Sequence, residues 1–171
     1  MDGFAYRGTP VTPGFRSIRQ PGEYASIMFM LDDGNYAFGD ATVVQYSATG
    51  GRDALMTGAQ MAELATQAIA PLFAGREVGS FREMSARLDA VEHAGRKLHP
   101  SVCYGASQAV LDAVARSRGL TAAEVIADEY KLDVAWLPVR IHTQSGDDRY
   151  TNVDKMILKE AGFMPHGLIN N

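Results

Sequence analysis

The stretch from His142 to Asn171 constrains the fold more than any other part of the chain. Trp136-Leu-Pro-Val-Arg-Ile-His142 reads as a strand that exits into the polar run Thr143-Gln-Ser-Gly-Asp-Asp-Arg-Tyr150. Pro138 lies near the start of that strand, where a missing N–H is tolerated. Val153 to Ala161 reads as a helix with Met156, Ile157 and Ala161 apolar, and Phe163 to Ile169 as a second strand carrying His166. That is one βα unit and the start of the next. Parallel strands need neighbours, and one and a half units cannot close a sheet. The expectation is a barrel-type enzyme of which this sequence is a shortened part.

Composition narrows the function classes. The chain has 171 residues, with 46% hydrophobic and 21% charged residues, ordinary values for a globular protein. Its longest apolar run, Ile27 to Leu31, is far too short to span a bilayer. The start, Met1-Asp-Gly-Phe4, has neither a basic nor an apolar signal region. Cys103 is the single cysteine, which excludes a disulfide framework and favours a cytoplasmic protein; on a helical pattern it reads as a small core residue. A net charge of -4 argues against nucleic-acid binding, which needs a basic face.

Ahead of the final βα unit the pattern is different. Residues 5–23 are irregular, broken by Pro10, Pro13, Pro21, Gly14 and Gly22. A loop this long in a compact domain is usually functional or disordered, and the two glycines are hinge candidates. Tyr24 to Leu31 and Tyr36 to Val44 read as strands joined at Asp32-Asp-Gly-Asn35, a two-residue hairpin signal. Helices follow. Met61, Leu64, Ala65, Ala68, Ile69 and Leu72 recur at helical spacing behind a Thr57/Gln60 capping box. A Ser80/Glu83 box precedes Phe81, Met84, Leu88 and Val91; Ser101 opens a third helix, closed by Gly119; Thr121 and Glu124 cap a fourth. The fold class is therefore α+β, an antiparallel sheet plus a helical bundle over 1–131, followed over 132–171 by a partial (β/α) TIM-type barrel.

The candidate chemistry sits at strand ends, where α/β folds place their sites. Gln144 and His166 each lie at or near a strand exit. A glutamine amide can donate to a carboxylate and accept from an ammonium, and a histidine can hold a carboxylate or move a proton near neutral pH. Without a ligand, Gln144 would cap a loop and His166 bond a neighbouring carbonyl. Asp147 and Asp148 are adjacent, so on a strand they point apart and on a loop they face water; they make a poor metal site. Gln45-Tyr-Ser47, with Gly50-Gly-Arg52 behind it, lacks the ending and glycine spacing of a phosphate loop, though Gln45 could reach a ligand held by the barrel. Arg16 and Arg19 could recruit a dicarboxylate from the early loop, or be solvated surface charge. His93 and His99 read as residues satisfying helix-terminal carbonyls. No nucleophile triad, CxxC pair or HExxH motif is present.

Several long and unusual strings carry a resemblance to a known family. They are Asp2-Gly-Phe-Ala-Tyr6, Pro10-Val-Thr-Pro-Gly-Phe15, Ser17-Ile-Arg-Gln-Pro-Gly-Glu23, Val44-Gln-Tyr-Ser47, Gly50-Gly-Arg-Asp53, Ser80-Phe-Arg-Glu-Met84, Gln144-Ser-Gly-Asp-Asp-Arg-Tyr150, Asn152-Val-Asp-Lys-Met-Ile-Leu-Lys-Glu160 and Pro165-His166. Across nearly its whole length the chain resembles the methylaspartate ammonia-lyase family of the enolase superfamily. The resemblance implies an enolase-like capping domain, a three-stranded sheet with a helical bundle, over the mouth of a (β/α) barrel. It implies removal of ammonia from L-threo-3-methylaspartate to give mesaconate, in glutamate degradation. A barrel lysine would take the proton and Mg²⁺ would stabilise the enediolate, a strategy taken over from the superfamily and not read from this chain.

By position, Gln144 matches the family's glutamine that grips a substrate carboxylate. His166 matches its substrate-binding histidine, which can act as acid/base on the opposite face. Gln45 matches a capping-domain glutamine near the substrate's amine and methyl groups, and the loop 10–23 matches a mobile loop that shields the site. The family's three acidic Mg²⁺ ligands and its lysine lie on later barrel strands, and its first strand precedes Asp2. The 171 residues alone are therefore expected to be inactive, with Ile141, His142 and other barrel-facing groups forming an exposed patch prone to association. The implied partners are a small amino-dicarboxylate substrate and a second copy in a homodimer, with no nucleic acid and no membrane. The competing readings are another enolase-superfamily racemase or cycloisomerase, and a non-catalytic dicarboxylate-binding or dimerisation domain.

Overall fold

The computed structural model describes residues 8–47, 53–135, 137–143 and 149–163. The chain divides into two compact units, one over Arg7–Asp133 and one formed by the region from Val134 onward.

The larger unit is α+β. Strands β1 (Tyr24–Met30) and β2 (Tyr36–Thr42) pair antiparallel, with Ile27 opposite Gly39 and Met30 opposite Tyr36. The turn differs from the two-residue hairpin expected from Asp-Gly. Leu31 N donates to Asn35 O at 2.9 Å and Gly34 N to Leu31 O at 3.1 Å, so three residues form the loop. A two-residue turn of the hairpin type needs positive φ at one or both central residues; in this turn only Gly34 has it, at 85°. Asp33 settles the choice by accepting from the Asn35 backbone N–H at 2.9 Å, a bond that also lowers its carboxyl pKa.

Small residues alternate along one face of β2. Ala37, Gly39 and Ala41 turn inward, while Tyr36 and Phe38 face out with their rings stacked. The helical block then covers the inner face. Helix α1 (Gly58–Leu64) starts at the expected Thr57/Gln60 box. The long helix that the periodicity predicts is interrupted, however, by a π turn over Ala65–Ile69 before α2 (Ala70–Phe73). Pro71 brings no N–H to the helical ladder, and the widened turn ends just before it.

Helix α3 (Phe81–Asp89) follows Ser80, whose side chain accepts from Glu83 N at 3.2 Å. A short hairpin of β3 (Glu92–His93) and β4 (Arg96–Lys97) comes next. It has no clear sequence signal, because its turn uses left-handed Ala94 (φ 51°) as well as Gly95 (φ 71°), and alanine rarely adopts that conformation. Helix α4 (Pro100–Arg118) begins one residue earlier than Ser101 would suggest. Pro100 takes the first helical position and His99 is the cap, accepting from Ser101 N at 3.2 Å through Nδ1. Gly119 closes α4 in the left-handed conformation at φ 63°.

Helix α5 (Ala122–Glu129) opens with the expected Thr121/Glu124 box. The Thr121 backbone N–H donates to the Glu124 carboxylate at 2.7 Å. That bond, followed by the one from the Thr121 hydroxyl, holds the carboxyl below its ordinary value. A carboxyl depressed in the folded state contributes stability above its unfolded pKa and gives it up as pH falls through the folded one. The cap should therefore stay closed from neutral pH down to the ordinary glutamate range, about pH 4, and open below it. Hydrogen exchange at the Thr121 amide, corrected for intrinsic rate, checks this; protection lost already near pH 6 would contradict it.

Two apolar clusters meet along α4. Ile27, Ala41, Met61, Leu88, Val102 and Ala106 belong to the first; Phe81, Met84, Val110, Val114 and Val125 belong to the second. Phe29, edge-on to Phe73 at 5.7 Å between ring centres, packs against both. Cys103 lies half-buried against the first cluster, and burial raises its thiol pKa. No helix among the described residues is long and apolar enough to cross a membrane.

In the second unit, helix α6 (Arg149–Leu158) lies between two segments that touch in parallel. Phe163 N donates to Ile141 O at 3.2 Å and Thr143 N to Phe163 O at 3.3 Å. Over 137–142, the described part of the expected strand 136–142, only a bridge at His142 forms. Ladder bonding needs a second partner along its length, and Pro138 can donate nothing to one. Val139 and Ile141 are exposed, whereas Met156 of α6 is buried. Residues 164–169, expected to continue the second strand, lie outside the described residues.

Candidate functional site

Gln45 follows the end of β2 on a segment stitched to the early loop from both sides. Gln45 O accepts from Gln20 N at 3.0 Å, and Ser47 N donates to Ile18 O at 2.8 Å. Arg19 and Tyr46 form an antiparallel bridge between these bonds, with the Arg19 guanidinium 5.4 Å from the Tyr46 ring centre. Loop 16–20 also closes on itself: Arg16 N donates to Gln20 Oε1 at 2.9 Å and Ser17 Oγ to Arg19 O at 2.6 Å. Further along, Leu55 N donates to Pro13 O at 2.9 Å, and Phe15 and Thr12 are buried.

Gly14 and Gly22, hinge candidates in the sequence, are positions of close approach. Gly14 has φ of 90°, and a Cβ there would stand 2.9 Å from Leu55 Cβ. A Cβ on Gly22 would stand 3.1 Å from Val43 O and 3.3 Å from Gln45 Cγ. Backbone packing therefore accounts for both. At the loop's end, the Glu23 carboxylate accepts from Gly58 N at 2.7 Å, tying it to the start of α1, where negative charge meets the helix dipole favourably.

The Gln45 side chain is exposed. It presents an amide that both donates and accepts, beside an arginine lying over a tyrosine. That combination suits a ligand with a carboxylate and an amine. Gln144 and His166 lie outside the described residues, as do Asp147 and Asp148. The remaining histidines have other positions. His99 serves amides at a helix start rather than carbonyls at an end; with Nδ1 accepting from Ser101 N, its Nε2 faces Ala54 O at 3.0 Å. His93 pairs with Arg96 in the short hairpin. No three His, Cys, Asp or Glu side chains converge on a metal site among the described residues. A cleft of about 1290 Å³ beside β1, lined by Ile27, Phe29, Ile69 and Phe73 among others, includes none of the candidate residues.

The family description "Methylaspartate ammonia-lyase N-terminus" matches residues 1–131, and "Methylaspartate ammonia-lyase C-terminus" matches residues 133–171. The chain is 48% identical over 170 residues to methylaspartate ammonia-lyase of Clostridium tetanomorphum, covering 99% of this chain and 41% of that protein. It is 46% identical over 170 residues to the Citrobacter amalonaticus protein of the same name, with the same coverage. The crystal structure of beta-methylaspartase from Clostridium tetanomorphum, a Mg complex, aligns at a TM-score of 0.80 with 48% identity, over 100% of this chain and 41% of that one. The Citrobacter amalonaticus enzyme containing (2S,3S)-3-methylaspartic acid aligns at 0.76 with 45% identity, over 94% and 39%. The chain thus spans about two fifths of the length of the curated relatives it matches.

Proposed function

Because the chain belongs to the methylaspartate ammonia-lyase family, we propose that it forms the substrate-facing part of an enzyme that releases ammonia from L-threo-3-methylaspartate to give mesaconate. The reading is carried by 48% identity over 99% of the chain. It is supported by the early loop bonded directly to the segment that carries Gln45. Residues 1–131 form a capping domain and residues 132–171 the opening of a barrel. In the reaction a proton leaves the carbon bearing the methyl group, the neighbouring C–N bond breaks, and a C=C bond forms between the two carbons. Gln144 holds a substrate carboxylate through its amide. His166 binds substrate and serves as acid/base on one face. Gln45 lies near the amine and methyl groups, and the loop 10–23 shields them from water, which strengthens every polar contact inside.

Mg²⁺ is the proposed cofactor, supplying positive charge where negative charge develops on a carboxylate. Among the described residues no three His, Cys, Asp or Glu side chains come together to hold it. The enzyme is further proposed to be a cytoplasmic homodimer.

The test is mesaconate formation from L-threo-3-methylaspartate by the intact enzyme containing this sequence, with Mg²⁺ present. Gln45→Ala should raise KM about tenfold, the size of one or two lost neutral hydrogen bonds. Gln144→Ala and His166→Ala should lower the same turnover. Epimerisation without ammonia release would instead make the protein a racemase of the superfamily.

A further inference from the structure

We propose that Ser47 is a positioning residue for the substrate site, holding the shielding loop in the conformation that places Gln45. Its hydroxyl oxygen accepts two consecutive backbone N–H groups of the loop, Val11 N at 2.7 Å and Thr12 N at 3.0 Å. Ser47 and Thr12 are both buried, at 6% and 3% exposure, so water does not readily replace these bonds. The Ser47 N–H donates to Ile18 O at 2.8 Å. One residue therefore binds two separate points of the loop, 11–12 through its side chain and 18 through its backbone. Gln45 is two residues away, and its own carbonyl takes the Gln20 N–H at 3.0 Å.

No other described side chain takes two successive amides of this loop. An alanine at 47 removes the acceptor that these two N–H groups share, and the segment around 11–12 then samples other conformations more readily. Substrate binding must reorder that segment, and the cost appears as weaker apparent affinity, because only the ordered fraction binds. The chemical step, which begins from the ordered complex, is unaffected. The kinetic part of this inference rests on the lyase reading; the hydrogen-bonding part does not.

The experiment compares Ser47→Ala, Ser47→Cys and Ser47→Thr in the intact enzyme. Cysteine fills the position with a somewhat larger group that is a weak acceptor; threonine keeps the hydroxyl. Two quantities are measured: exchange protection at the Val11 and Thr12 amides, and KM and kcat for mesaconate formation. The expected result is lost protection at both amides in the Ala and Cys variants. KM should rise about tenfold, as for loss of one to two hydrogen bonds, with kcat within about twofold and threonine restoring both readouts. Unchanged KM in variants that have lost amide protection overturns the positioning role, as does a fall in kcat alone from a smaller folded fraction. Unchanged protection overturns the hydrogen-bonding basis. An unsubstituted enzyme that makes no mesaconate overturns the lyase reading instead, and amide protection still decides what Ser47 holds.

Discussion

Replacing Gly105 by valine is expected to leave almost no folded protein. Gly105 sits in the first half of α4 where the helix crosses β2, and there the two backbones are in direct contact. A Cβ on Gly105 would stand 2.5 Å from Ala41 N and 2.8 Å from the Asp40 carbonyl carbon. On the other side of the crossing, a Cβ on Gly39 would stand 2.0 Å from Gly105 O and 2.5 Å from Ala109 N. These neighbours are backbone atoms of a strand and a helix, so no rotamer change relieves the clash. The helix has to move away from the strand. The first apolar cluster spans this seam, with Ile27 and Ala41 on the sheet and Val102, Ala106 and Ala109 on the helix. Separating them loses close packing along the whole crossing at once.

An ordinary overpacked core substitution costs about 1–3 kcal/mol. A backbone clash that displaces a 19-residue helix belongs in the exceptional range above about 4 kcal/mol, a large share of a typical domain's total stability. Gly105→Ala should be milder but still destabilising, even though alanine is the better helix former by about 1 kcal/mol. Thermal unfolding followed by circular dichroism checks both. A Gly105→Ala protein melting above the parent would mean that helix propensity outweighs the clash, and that α4 and β2 have room between them.

The sequence makes the elements legible and leaves their contacts hidden. The β1/β2 hairpin, the Thr57/Gln60 and Thr121/Glu124 caps and the Gly119 stop of α4 all follow from period and local chemistry. Gly105 does not, because a glycine inside a helical pattern looks the same whether it merely weakens the helix or admits a strand. The π turn before Pro71 and the Ala94-Gly95 turn depend on conformations that residue type does not announce. For the candidate site, Gln45 is singled out by its place after a strand and by the strings surrounding it. The Ser47 hydroxyl's bonds have no such signal: its partners, Val11 and Thr12, lie 36 and 35 residues away along the chain, and local spacing carries no trace of such a bond.

The same kind of long-range contact produces the second large expected effect, at Glu129. The sequence suggests that Ser80 and Glu83 cap α3 reciprocally. In the structure Ser80 does its half, and the remaining amides turn to a carboxylate from the far end of α5. Glu129 accepts from Phe81 N at 2.9 Å and from Arg82 N at 2.8 Å. Its side chain is only 8% exposed and has Arg118 Nη1 at 3.4 Å. The contact continues back to α3, as Arg82 Nη1 donates to Glu129 O at 3.2 Å and the Arg82 guanidinium carbon lies 5.1 Å from the Tyr130 ring centre. One residue thus closes the end of α5 onto the start of α3, where unpaired amides and the helix dipole both favour a negative charge. Glu129→Ala should cost about 2–3 kcal/mol, since it removes charge-assisted bonds and leaves the part-buried Phe81 amide without a partner. The Arg82 amide is exposed and regains water, which keeps the loss from being larger. Glu129→Gln should cost about half as much, because one oxygen still accepts while the amide NH₂ faces the second donor. The Arg118 contact adds little, being long and open to solvent on the arginine side, so a double-mutant cycle with Arg118→Ala should give a coupling below about 1 kcal/mol. Urea unfolding of Glu129→Ala, Glu129→Gln, Arg118→Ala and the Glu129→Ala/Arg118→Ala double variant checks this order. If the alanine and glutamine variants were equally stable, the helix amides would not be the seat of the effect; if coupling to Arg118 accounted for most of the loss, Glu129 would be an ion-pair residue and α3 would be capped by Ser80 alone.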